Sequence, residues 1–182
     1  MGRKSMGALR NLENQLAPLF KDLPELPKGF KDALVQYWPY IALALGVLQL
    51  LAAVGLFGLV TAASAVITYA GYVTGTGYTG LSLIAAYAGI ALLVVDAVIF
   101  FMAFSPLTKK LKRGWDLLFL STIINLVYGV SQVFIGYRGV GSLLSSLVGT
   151  AIGLYLLFQI RDRYATKSTK KSSTDKPEAL KG

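Results

Sequence analysis

LSLIAAYAGIALLVVDAVIFFMAF, residues 81–104, is the stretch that decides the fold. A helix needs about 20 apolar residues to cross the roughly 30 Å hydrocarbon core of a bilayer, and this one is longer than that with a single charge, Asp96. Ser105-Pro106 follows, where the proline ring is expected to stop the hydrogen-bond ladder. Three further stretches match it, at about 39–60, 117–137 and 141–160. Residues 33–95, 117–137 and 139–160 hold no charge at all. The expected fold is therefore an all-α integral membrane protein, a bundle of four transmembrane helices. Residues 61–80, TAASAVITYAGYVTGTGYTG, are uncharged but rich in Thr, Tyr and Gly, and read as an outer loop into which the first helix extends a few turns.

Composition agrees. Of 182 residues 54% are hydrophobic and 15% charged, whereas a soluble domain carries about 25% charged residues. The chain has no Cys and no His. Disulfides, thiolate nucleophiles and thiolate metal sites are excluded, and so is the usual neutral-pH general base and metal ligand. Neither a metal site nor a cofactor is expected, and no motif of acyl, phosphoryl or hydride transfer is present; an enzyme is not expected. Gly75-Thr76-Gly77 lacks the strand, helix and lysine of a phosphate loop.

The cations set the orientation. Six Lys/Arg lie in residues 1–36, four in 105–116 and seven in 161–182, against Arg138 alone in the turn between spans three and four. Cations stay on the cytoplasmic side, so both termini are expected there, in a multi-pass protein of the cell membrane. The first apolar stretch is too long, and too far from the N-terminus, for a cleaved signal. Met6 stands where a myristoylation motif needs Ser or Thr.

Residues 1–36 form a cytoplasmic segment. Leu9, Leu12, Leu16, Leu19 and Leu23 recur at spacings of three and four, an amphipathic helical stripe bent or broken at Pro18. Such a stripe suits the headgroup layer, with its basic residues on anionic lipid; covering the bundle or docking a partner are the alternatives. Tyr37, Trp38, Tyr40 and Trp115 read as aromatic interface markers. Residues 161–182 read as a disordered basic tail, which together with Lys109–Arg113 offers anionic lipid a surface; nothing in it points to nucleic acid.

In lipid, helices associate through close packing of small residues. Gly141, Ser145, Gly149 and Gly153 make one such face on span four, with Ser142 and Ser146 beside it. Span three offers Ser121, Asn125 and Gly129 with Gln132 and Gly136 nearby, span two Ser82, Ala85 and Gly89, and span one Ala42 and Gly46. A faint repeat pairs GVLQ (46–49) with GVSQ (129–132) and SLIAA (82–86) with SLLSS (142–146), as in transporters built from parallel halves.

Asp96 lies about 5 Å to the cytoplasmic side of the middle of its span at 1.5 Å per residue. Asn125 and Gln49 fall near the same depth, so the three form a candidate intramembrane polar cluster. A charge there costs several kcal/mol unless it finds partners. Asp96 is thus either a proton- or cation-coupling carboxylate or a hydrogen-bonded fastener between spans two and three.

GWDLLF (114–119), VYGV (127–130) and GLYLLFQIR (153–161), with LPELPKGFKDALVQYWP (23–39), resemble uncharacterised short multi-pass membrane proteins of small-genome bacteria, a group that brings no activity with it. In outline the chain is also similar to the small multidrug exporters, but Gln49 stands where they carry a membrane-embedded glutamate, and the chain is longer. The expected role is structural or accessory, the chain packing with itself or with partner membrane proteins through small-residue faces. A small transporter or channel using Asp96 is the alternative.

Overall fold

The computed structural model describes residues 3–74, 80–134 and 140–172, with side chains over 7–73, 83–131 and 144–164. Five helices follow in order: α1 (Arg3–Lys21), α2 (Lys28–Thr74), α3 (Gly80–Thr108), α4 (Lys112–Phe134) and α5 (Val140–Ser172). Among the described residues, four of them, α2 to α5, are long and apolar enough to cross a membrane. Each packs antiparallel on the next, α2 on α3, α3 on α4 and α4 on α5, while α2 and α5 barely touch. All four therefore share a basic end, where Lys28, Thr108, Lys112 and Tyr164 sit, and a far end. Gly141 lies in the first turn of α5, but its surroundings, like those of Ser82, Gln132, Gly136, Arg138 and Ser142, fall outside the described side chains.

The first helix extends into 61–80 by about four turns: α2 continues unbroken to Thr74, 47 residues in all, or about 70 Å of helix. The hydroxyls expected to favour a loop turn back onto the helix itself. Thr61 donates to Phe57 O at 2.7 Å and Ser64 to Thr61 O at 2.8 Å, which satisfies them without breaking the ladder. Proline also proves less disruptive than expected. Pro18, Pro39 and Pro106 all lie inside helices, and Pro18 and Pro106 fall in the closing turn, so little helix remains beyond the break each makes in the ladder. Residues 161–172 continue α5 rather than starting a disordered tail; no proline occurs before Pro177 to stop the helix.

The α3–α4 turn is built by a specific cap. Leu111 N donates to Pro106 O and Lys110 N to Leu107 O, at 2.8 and 2.9 Å, with Lys110 at φ 53°. This is the paired bond pattern that ends a helix through one left-handed residue, usually glycine. Gly114 then lets α4 start against α3: a Cβ there would lie 2.7 Å from Leu107 N.

The buried core occupies the basic half of the bundle. Ala42, Ala103, Leu107, Trp115, Phe119, Leu157, Ile160 and Tyr164 meet there, and Leu9, Leu12, Leu16 and Phe20 of α1 pack against them. Leu9, Leu12 and Leu16 of the amphipathic stripe thus cover the bundle, one of the expected alternatives, while Leu19 and Leu23 stay exposed. The reading of Trp115 as an interface marker is corrected. It is wholly buried, donates from Nε1 to Leu157 O at 2.8 Å and stacks on Phe119, so it is a core residue and not an interface marker. Along α2, by contrast, Leu48, Leu51, Val54, Phe57 and Leu59 are all exposed, as suits a surface facing lipid.

Candidate functional site

Asp96 is 1% exposed and takes hydrogen bonds on both carboxylate oxygens. Ser121 Oγ donates to Oδ1 at 2.7 Å, and Asn125 Nδ2 donates to Oδ2. Asn125 Nδ2 also reaches back to Ser121 O at 3.0 Å. Ser121 and Asn125 stand one turn apart on α4, so a single face of that helix presents both donors to one residue of α3. The arrangement joins α3 to α4 and gives a buried carboxylate two neutral donors.

Two of the three polar residues expected at this depth therefore meet, Asp96 and Asn125. Gln49 does not join them. Its Oε1 is buried and has no hydrogen-bond partner. Gln49 belongs instead to an α2 stripe that continues through Ala52, Leu56 and Val60 at helical spacing. Ser121, read from sequence as a packing residue, supplies the second donor; its place one turn before Asn125 was the signal for that role.

Farther along α2, Ala52, Leu56 and Val60 border a cavity of about 570 Å³ in the far half of the bundle. Ala86, Gly89 and Ile90 of α3, Asn125 and Tyr128 of α4 and Ser146 of α5 line its other sides, and it is open to the outside rather than enclosed. Its lining is apolar apart from the Asn125 amide and the Tyr128 and Ser146 hydroxyls. Asn125 belongs both to this wall and to the Asp96 carboxylate. Volumes of roughly 300–1,000 Å³ with a few convergent polar groups are typical of small-molecule sites.

The candidate packing residues divide into two sets. A Cβ on Gly89 would lie 2.6 Å from the Tyr128 hydroxyl, and one on Gly129 2.8 Å from Ser146 Oγ. These two glycines set the α3–α4 and α4–α5 approach. Gly149 and Gly153 of α5 would meet nothing within 4 Å. Gly153 borders a void of about 120 Å³ shared with Trp38, Ala42 and Leu45 of α2, so this face looks into the seam that α2 and α5 leave open.

At the basic end Glu13 of α1, 3% exposed, is held between two cations. Lys112 Nζ donates to its Oε1 at 2.9 Å and Arg161 Nε at 2.6 Å. Lys112 also binds Asp116 at 2.8 Å and lies 3.7 Å from the centre of the Trp115 ring. The linker after α1 is tied to α5 as well, since Tyr155 and Gln159 both donate to Pro24 O. Lys112 and Arg161 are thus committed to protein partners rather than presented to anionic lipid. Sequence reasoning missed Glu13. The signal was its spacing, four after Leu9 and three before Leu16, which puts an acid on the apolar face.

Among the described residues no group of His, Cys, Asp or Glu side chains converges as a metal site would. No protein family, curated protein or solved structure matches the chain.

Proposed function

We propose that the chain is a multi-pass cell-membrane protein, inserted with both termini cytoplasmic, whose role is accessory: it assembles with itself or with a partner membrane protein through the small-residue face of α5. The placement of 17 of its 18 Lys/Arg on one side supports that orientation. The observation that carries the role is the contrast among the glycines. Gly89 and Gly129 are used up inside the chain, whereas Gly149 and Gly153 have nothing within 4 Å. In lipid a bare small-residue face is where a second helix comes closest. The exposed cations outside the Glu13 cluster, Lys109, Lys110 and Arg113, face anionic headgroups.

Cross-linking in native membranes, followed by mass analysis of the products, tests this. The expected result is a discrete assembly that Gly149→Leu disperses and Asp96→Asn leaves intact. A protein that stays monomeric at native abundance refutes the assembly role.

A second reading, a small proton- or cation-coupled transporter, is favoured by the cavity that reaches Asn125 and, through it, Asp96. It requires that Asp96→Asn abolish a flux in vesicles while assembly persists.

A further inference from the structure

We propose that the basic end of the bundle holds one anionic phospholipid, its phosphate between Lys110 and Arg163 and its acyl chains along α2. An open groove of about 720 Å³ lies there, between the start of α2, the end of α3 and Arg163 of α5. Along α2 it runs from Asp32 to Tyr40, or about 12 Å. That length crosses the headgroup layer, roughly 5–8 Å on each side of a bilayer, with the charges at one end and the aromatic rings at the other.

The charge in the groove fits a phosphate. Two cations and one acid line it. Asp32 is already answered by Arg163, Oδ1 to Nη2 at 2.9 Å. The Lys110 ammonium has no partner among the described residues, so one positive charge is left over, with the Gln36 amide beside it as a further donor. Lys110 also occupies the left-handed cap position, φ 53°, that glycine would fill without strain. Strain of this kind persists where a site has a use for it, and an ammonium held over the groove is such a use.

The surface below the groove fits acyl chains. Gln36, Tyr40, Leu43, Val47, Leu50 and Val54 follow one another at spacings of four and three, a single ridge of α2. Val47, Leu50 and Val54 on this ridge are exposed. Tyr40 meets Phe104 of α3 edge to face, centroids 6.0 Å apart, at the passage from the charged groove to the apolar ridge. A soluble anion would use the cation and leave the ridge bare. A zwitterionic lipid would bring a second cation up to Lys110. An anionic phospholipid satisfies both ends.

The inference rests on the membrane reading of α2 to α5 but not on the assembly role, because Gly149→Leu should disperse assemblies and leave this binding unchanged. Its test is native mass spectrometry of the purified full-length chain in detergent, titrated with dioleoylphosphatidylglycerol or dioleoylphosphatidylcholine, which share their chains and differ in charge. The first phosphatidylglycerol is expected to bind about fivefold more tightly, the factor that one uncompensated cation carries at a lipid surface. Lys110→Gly, which suits the cap, should bring the two lipids close to parity, and so should Arg163→Gln. Lys109→Gln removes the same charge one residue outside the groove and should keep the preference. Glycerol 3-phosphate, with no chains for the ridge, should not displace the lipid. Equal binding of the two lipids by the wild-type chain, a preference that survives both groove variants, an equal fall in Lys109→Gln, or displacement by glycerol 3-phosphate overturns the proposal.

Discussion

Glu13 and Arg161 stand 148 positions apart in the chain and meet at 2.6 Å, Oε1 to Nε, with Lys112 completing the cluster from a third helix. Removing the Glu13 carboxylate takes a charged partner from Arg161 and from Lys112, which keeps Asp116, at a cost of about 1–3 kcal/mol. Since Glu13 is a buried charged tie between α1 and the bundle, Glu13→Ala is expected to populate an undocked α1. About 1.4 kcal/mol already raises the open fraction tenfold. Trypsin should then cut at Lys21 at least that much faster, while cleavage within the spans stays unchanged; equal rates in the two proteins would refute the latch.

Gly89 faces the Tyr128 hydroxyl so closely that an added methyl has no room. Gly89→Ala should destabilise the α3–α4 pair by about 1–3 kcal/mol, the usual cost of overpacking. Tyr128→Phe removes the oxygen, so the double variant should recover most of that loss. Additive effects in the four-protein cycle, measured by denaturant unfolding in detergent, would show that the contact is not tight.

Asp96 accepts from two side chains of α4. Asp96→Leu is expected to cost about 1–2 kcal/mol, the upper range for polar contacts between helices in lipid. Asp96→Asn keeps an acceptor for Ser121 and should cost less. Unfolding of the two variants side by side distinguishes them, and equal stability to wild type in Asp96→Leu would remove the fastening role.

Trp115 is buried against Phe119 and Phe158. In a Trp38→Phe background its fluorescence should be insensitive both to aqueous quencher and to brominated lipid. Strong quenching by the lipid would return it to the membrane interface.

Lys110 holds a left-handed backbone conformation at φ 53°, which costs an L residue roughly 1–2 kcal/mol and glycine nothing. Lys110→Gly should therefore raise stability, by about 1 kcal/mol once its greater unfolded-state freedom is deducted. A fall in the unfolding midpoint would contradict the cap.

The four spans were legible because charge-free runs of that length have only one solvent to live in. Asp96 and Asn125 were legible because lone polar residues in such runs must be satisfied by one another. What escaped was decided by neighbours. The leucine stripe of α1 has the same period whether it meets lipid or Trp115 and Phe158. Thr61 and Ser64 suit a loop by type, and only their bonds to the preceding turn show that helix continues. Gln49 shares a depth with Asp96, yet depth along a helix does not fix its azimuth, so its carbonyl is buried without meeting Asp96 or Asn125.

The core gathered at one end gives the bundle the mechanics of tweezers. The heel, from Ala97 to Phe119 with Leu154 to Tyr164, is welded by interlocked rings and the Glu13 tie. Among the described residues α2 leans mainly on α3 and α5 on α4, with little contact between α2 and α5. Sideways pressure on the far half therefore spreads or closes the tips without disturbing the heel, and amide exchange should be slowest in the heel and quicken toward the tips.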